Sequence, residues 1–312
     1  MRALVSGGAG FIGSNLVDAL LDAGHEVTVV DDLSTGREAN LEPALSREGA
    51  ELVVADVTDG RLMLEMLALK PVDVVFHLAA QIDVRRAVAE PAFDAHVNVE
   101  GTISLLEAAR QTGAHRFVFV STGGAIYGEG AGKALPLDET TDIAPLTPYG
   151  QSKYAAEGYV SLYERQHGLS GVSLRLANVY GPRQDPLGEA GVIAIFCGKL
   201  AAGERPTIFG SGEQTRDFVY VGDVVEALLR AAGTDGGGAY NIGTGVETSV
   251  LDLLAALEKA GAGSAEPVFE PERPGEVQRI SLDPGRAASA IGWEPRTPLA
   301  EGIERTFAAV AA

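Results

Sequence analysis

Gly7-Gly-Ala-Gly10-Phe-Ile-Gly13 follows directly on the apolar run Ala3 to Ser6 and opens a helical pattern that runs from Ile12 to Ala23. Glycines at such a junction let the backbone turn tightly and approach a pyrophosphate, which then meets the unpaired N–H groups at the positive end of the helix. A glycine triplet alone is weak evidence, and the strand, turn and helix around it make it specific. Asp31 closes the next strand at the distance expected of an acid that holds the adenosine ribose. The stretch therefore predicts a dinucleotide site at the start of an α/β fold.

Outward from that turn, β-branched runs alternate with helical patterns. Glu26 to Val30, Glu51 to Ala55, Val72 to Leu78, Arg116 to Ser121 and Val172 to Leu176 read as further strands. Gly60 to Leu69, Phe93 to Thr112 and Tyr149 to His167 read as helices between them. Continuous apolar strands separated by helices predict a doubly wound, Rossmann-like parallel sheet covered on both faces. After about Arg175 the rhythm changes to loops punctuated by Gly and Pro, such as Tyr180-Gly-Pro-Arg183. We expect a nucleotide-binding domain over 1–175 that also takes in about 217–240, and a smaller mixed α/β substrate lobe from 176–216 and 241–312.

The 312 residues are 46% hydrophobic and 21% charged, without an apolar run near the roughly 20 residues a bilayer crossing needs, which argues against disorder and a membrane span. With 24 Lys and Arg against 43 Asp and Glu, the net charge of -19 opposes binding to nucleic acid or anionic lipid. A single cysteine, Cys197, excludes an internal disulfide framework, and the five histidines lack metal-ligand spacing. No signal-peptide pattern opens the chain, so a cytoplasmic protein is expected.

A second chemical signal is Tyr149-Gly-Gln-Ser-Lys153, whose ends are four apart and share one helix face. A free tyrosine has a pKa of about 10, and a neighbouring ammonium or a cationic nicotinamide favours the phenolate, a usable base. Ser121 and Thr122 end a strand where a sheet of this class delivers its active-site groups.

With these residues in place, the chain resembles the extended short-chain dehydrogenase/reductases, and within them the UDP-glucose 4-epimerases. The resemblance rests on Gly7-x-x-Gly10-x-x-Gly13, Asp31-Asp32-Leu-Ser34-Thr35-Gly36, His77-Leu78-Ala79-Ala80, Ser121 to Gly128, Tyr149-x-x-x-Lys153, Asn178 to Gln184, Thr215 to Tyr220, Asn241 to Gly245 and Arg273-Pro-Gly-Glu276. It implies bound NAD and reversible C4 epimerisation of a UDP-sugar through a 4-keto intermediate. Tyr149 would be the acid–base group, Lys153 would bind the nicotinamide ribose, and Thr122 or Ser121 would assist at O4. Gly7, Gly10, Phe11, Ile12 and Gly13 would cradle the cofactor. Asp31 to Gly36, Asp56, Val57, Leu78, Ala79, Ala80, Gln81 and Asn98 would complete its site. Thr122, Asn178, Val192, the Thr207-Ile208-Phe209 strand, Arg216, Arg273 and Glu276 would contact the nucleotide sugar.

One departure stands out: the position that usually carries the family's catalytic hydroxyl, counted back from Tyr127, is Gly123. Thr122 is the substitute, with Ser121 behind it. Gly123 and Gly124 also replace the Asp-Glu pair of the related 4,6-dehydratases. Asp31 favours NAD over NADP, with Arg37 in a position to soften that preference. The glucose/galactose pair is expected ahead of uronate or N-acetylated sugars, with Ile280 as the counted gate against the latter. A reductase, dehydratase or decarboxylase on the same fold, and a nucleotide-sensing protein without turnover, are the alternatives. The resemblance also implies a homodimer through helices 93–112 and 149–167, although their apolar faces would serve equally to cover the sheet. His77, Asp217, Asp223, Trp293 and Cys197 read as structural, with Trp293 assigned to the small lobe; Arg85 and Arg86 read equally as contacts for an anionic substrate, Arg85 being the candidate cation for a uronate, and as solvated or ion-paired.

Overall fold

Residues 1–130, 132–186, 191–261, 266–272 and 277–311 are described in a computed structural model of the chain. All six apolar runs form strands, and a seventh joins them. From one edge the order is Gly238–Ile242, Ser170–Leu176, Arg116–Thr122, Val74–His77, Arg2–Ser6, Glu26–Asp31 and Ala50–Val54. Every pairing is parallel. The chain first winds outward from Arg2–Ser6 to one edge, then returns and winds to the other, so the switch point lies between Arg2–Ser6 and Val74–His77. Ligands of such sheets bind beyond the carboxyl ends of the strands beside that point.

Each face of the sheet carries its own core. On one, Leu16, Val17, Leu20, Val224, Leu228 and Trp293 pack over the strands; on the other, Met63, Leu67, Leu105, Ala109, Ala156 and Val160 do so. Trp293 is thus a large-sheet residue, contrary to its expected place in the small lobe. It is fully buried and its indole N–H donates to the Asp223 carbonyl at 2.8 Å. The seventh strand also carries the sheet to Ile242, so the boundary expected near residue 240 cuts through a strand. A third core, built on Ile193, Phe196, Cys197, Leu253, Leu257 and Ile303, holds the small lobe together.

Helix Pro148–His167 shows how local sequence sets the site. Thr147 caps it by accepting from the Gly150 N–H at 3.2 Å, Pro148 opens it with a pre-set φ, and Gly168 ends it in the left-handed conformation at φ 69°. Tyr149 therefore occupies the first turn, where the helix dipole favours negative charge. The single helix expected from Phe93 to Thr112 is instead Pro91–Ala95, a wide π turn His96–Glu100, and Gly101–Thr112. Gly101 begins the last segment because a Cβ there would stand 2.9 Å from the Val57 side chain.

Candidate active site

At the switch point the glycine turn has the shape its sequence requires. Gly7 sits at φ 70°, and a Cβ on it would meet the Ala79 N–H at 2.6 Å; a Cβ on Gly13 would lie 2.2 Å from the Gly7 carbonyl. Helix Phe11–Asp22 begins with neither a side-chain cap nor an acidic residue in its first turn, which leaves its N–H groups for an external anion. Asp31, buried at the end of its strand, accepts from the Ala9 N–H through one oxygen and the Leu33 N–H through the other, each at 2.9 Å. Each oxygen keeps an acceptor site for a ribose hydroxyl. Burial pushes this carboxyl above its usual range, offset by those two N–H groups. The cradle fits a dinucleotide.

The Asp31–Gly36 loop is fastened around this cradle: Asp32 accepts from the Ser34 N–H and hydroxyl, and the Arg37 N–H donates to the Ala9 carbonyl. Ser34 and Thr35 are exposed on it, and Asp56 is exposed beyond the neighbouring strand end. The Arg37 guanidinium, expected to soften the preference against a 2'-phosphate, pairs with Asp185 at 2.5 Å on the surface. Val57 faces inward and packs on Gly101, so only its backbone faces the edge. Leu78 and Ala79 likewise pack against the cores beneath.

Two expected cofactor ligands act one step further back. The Asn98 amide accepts from the Gln81 N–H at 2.9 Å and donates to the Gln81 carbonyl, to Asp94 and to Ser152. It binds the Ala79–Gln81 segment to the helix that carries Tyr149 and Lys153. The Gln81 side chain donates to Asp94 and the Asp83 carbonyl. His77 extends the scaffold through Ser6 at 2.7 Å and Thr102 at 2.9 Å; burial lowers its pKa to about 3, which leaves it neutral.

Tyr149 and Thr122 meet across a cleft that also exposes Gly124, Asn178, Arg216 and Val277. The Thr122 hydroxyl acts on the Tyr149 phenol and lowers its pKa. Ser121 points the other way, as successive residues of a strand must, and its buried hydroxyl has no hydrogen-bond partner among the described residues. Of the two hydroxyls, Thr122 lines the cleft. The missing hydroxyl at Gly123 has a steric cause: a Cβ there would lie 2.3 Å from Leu282, inside the cluster of Ile126, Tyr127, Leu137 and Ile280. At Gly124 a Cβ would stand 3.7 Å from the Asn178 amide oxygen and 3.9 Å from the Thr122 hydroxyl, so glycine keeps the space between them open.

Loss of solvation pushes the Tyr149 phenol up to about 12, and Asp94 adds to this while the Thr122 hydroxyl opposes it. Lys153, 2% exposed, is lowered to about 7 by burial, against the opposing pull of Glu157 and Asp94. Its ammonium lies 4.2 Å over the centre of the Phe119 ring. In the chain alone burial is the largest influence on the phenol.

The remaining expected substrate contacts divide. Asn178 and Arg216 line the cleft. Thr207 receives Lys199 at 3.1 Å, the Phe209 carbonyl receives Gln214, and Ile208 is buried in the small-lobe core with Val192 packed against that core, so the Ile208 side chain cannot reach a ligand. Arg273 and Glu276 lie outside the described residues. Ile280 is 2% exposed in the cluster beneath Gly123, and the side chain that forms the cleft wall there is Val277. Asp217 and Asp223 hold loops: the first accepts from the Thr244, Gly245 and Leu282 N–H groups, the second from those of Arg296 and Thr297. Arg85 lies 3.9 Å from Asp83, and Arg86 stacks over Phe93. Cys197 is buried, with its thiol raised to about 12. Among the described residues no metal-binding cluster occurs, and no helix is long and apolar enough to cross a membrane.

Comparison with known proteins matches this geometry. The chain is 49% identical over 307 residues to a UDP-glucose 4-epimerase of Mycolicibacterium smegmatis, covering 98% of this chain and 97% of that one. Among solved structures, the UDP-glucose 4-epimerase of Thermotoga maritima with UDP-glucose superposes with a TM-score of 0.94 at 45% identity, covering 99% and 98% of the two chains. That of Thermus thermophilus in complex with NAD gives 0.91 at 42% identity, with 99% of each covered. The sequence profile of the NAD dependent epimerase/dehydratase family matches residues 3–243, which take in the glycine turn, the Thr122–Tyr149 pair and all seven strands of the sheet, and the chain belongs to that family.

Proposed function

We propose that the chain interconverts UDP-glucose and UDP-galactose by inversion at C4. The observation that carries this reading is the Thr122–Tyr149 pair, which lines the same cleft as Asn178 and Arg216 while Lys153 lies one turn behind Tyr149. Bound NAD supplies a hydride acceptor that returns what it takes, so the reaction carries no net redox change.

The chain's own residues do the rest. Tyr149 takes the proton from O4 and returns it to the same oxygen after the ring has turned over. Thr122 holds that oxygen within reach by hydrogen bonding. Arg216, on a half-buried strand end, supplies positive charge for a diphosphate, and Asn178 donates beside it. Gly124 leaves room for either face of the sugar. Firm contacts to the nucleotide and loose contacts to the hexose are what a reaction needs when its intermediate must present both faces.

Proton NMR of the purified protein with UDP-glucose, without added reductant, is expected to show UDP-galactose appearing and the same final mixture from either sugar. Loss of water from UDP-glucose would replace this reading with a dehydratase; parallel samples with UDP-glucuronate or with added NADH would reveal a decarboxylase by carbon dioxide release or a reductase by stoichiometric NADH oxidation. Assembly as a homodimer through the outer faces of helices Gly101–Thr112 and Pro148–His167 accompanies the proposal, supported by the exposure of Tyr154 and Tyr159 on the second helix. Sedimentation of the purified protein at the mass of a single chain would count against it.

A further inference from the structure

The segment Tyr127-Gly128-Glu129-Gly130 leaves the short helix Gly123–Ile126 and brings one carboxylate against a distant part of the chain. Gly128 lines the cleft at φ 70°, and a Cβ on it would stand 2.3 Å from the Ala144 carbonyl. A Cβ on Gly130 would lie 2.2 Å from the Arg279 carbonyl, to which the Gly130 N–H donates at 3.0 Å. Glycine on either side of Glu129 thus permits the close approach. The Glu129 carboxylate accepts from the Gln278 N–H at 2.7 Å through one oxygen and from the Arg279 N–H at 3.1 Å through the other. Such charge-assisted bonds belong to the stronger class.

Immediately before these two N–H groups comes Val277, a wall of the cleft. The same stretch is held from a second side. The Gln278 carbonyl accepts from the Thr215 N–H at 2.9 Å, and Glu247 takes both the Thr215 hydroxyl at 2.6 Å and the Arg279 guanidinium at 2.6 and 2.9 Å. Thr215 is followed by Arg216, another cleft residue. The two carboxylates therefore make different connections. Glu247 ties the Val277 wall to the strand that carries Arg216, whereas Glu129 ties it to the segment that follows Thr122, and so to the side of the cleft that the large sheet supplies.

We propose that Glu129 is a positioning residue of the site: by holding the Gln278 and Arg279 N–H groups it fixes the Val277 wall relative to Thr122, and so sets how large a hexose the cleft takes. The inference rests on the reading of this cleft as the UDP-sugar site. It differs from a purely structural role, in which loss of Glu129 would weaken the fold and lower the affinity for every sugar alike. A displaced wall changes the ratio of affinities instead, because a pocket separates ligands that differ by a few atoms only where its wall is fixed.

Glu129→Ala removes both acceptors and leaves the residues that line the cleft unchanged. Binding isotherms on NAD-loaded protein with UDP-glucose and with UDP-N-acetylglucosamine, the larger sugar, give the ratio of the two affinities. The expected result is a shift of roughly tenfold towards the larger sugar. In a Val277→Ala background the same substitution should shift the ratio by less than about twofold, because the side chain that Glu129 positions is gone. A ratio that stays, or an equal shift in both backgrounds, overturns the proposal. Glu129→Gln keeps one acceptor oxygen and should shift the ratio in the same direction by less; it takes the place of Glu129→Ala if that variant fails to fold. The isotherms need no turnover, so a parent that binds UDP-glucose and leaves it unchanged defeats the epimerase reading and still lets the ratio judge Glu129. A parent that binds neither sugar defeats both.

Discussion

Replacing Tyr149 by phenylalanine is expected to slow the interconversion of UDP-glucose and UDP-galactose by roughly a hundredfold or more, with affinity for UDP-glucose close to that of the parent. The substitution removes one oxygen and leaves the ring in the first turn of its helix. Thr122 still lines the cleft and still has a hydroxyl, but a hydroxyl that only donates a hydrogen bond cannot accept the proton from O4 and return it. Asn178 and Arg216, which line the same cleft, are untouched, so binding and turnover should separate. Initial rates and a binding isotherm for UDP-glucose measure the two effects. Normal turnover would show that another group is the base; a parallel loss of binding would show that the phenol holds the substrate more than it reacts with it.

Arg175→Met should produce the largest change in stability, a loss of roughly 3–5 kcal/mol in urea unfolding. Arg175 and Glu157 are buried to 7% and 6% exposure, and the substitution leaves the carboxylate desolvated without its three guanidinium contacts. Arg175 also donates to the Tyr127 hydroxyl at 2.8 Å, and Tyr127 in turn to Asn241, so the network joins the last two strands of the sheet to the helix that carries the site. A second change, Glu157→Met, removes the stranded charge, and the double variant is expected to recover most of the lost stability. A double variant as unstable as the single one would place the cost in packing around Arg175 instead of in the unpaired charge.

Five of the six strands legible in the sequence are largely buried, whereas Ala50–Val54 lies at the sheet edge with Glu51 and Val54 exposed and is legible from its Leu-Val-Val run. Gly238–Ile242 escapes that reading. Its Ala-Tyr-Asn-Ile core includes Asn241, fully buried yet satisfied by Tyr127 and by the Leu137 carbonyl, partners that only the tertiary fold supplies. Tyr149 and Lys153 are legible because helical spacing alone places them on one face. Thr122 and Ser121 cannot be separated by sequence position, and the alternation of a strand separates them completely. Counting along a motif gives Ile280 a place in the chain but not a direction, and it points into a closed cluster. Asp94 carries no sequence signal at all, since an acid in a helical stretch normally faces water. Its burial depends on Gln81 and Asn98 closing over it.

The strand Gly238–Ile242 reaches the sheet only after the chain has passed through much of the small lobe. While the protein is being made, Ser170–Leu176 is therefore an open sheet edge, the kind of surface on which chains join one another. It stays open until the chain has passed residue 242, after Val192–Ala201 and Thr207–Phe209 of the small lobe have been made. A chain truncated or stalled before the last strand would keep that edge exposed and should aggregate, whereas the finished protein hides it behind a strand drawn from its second half.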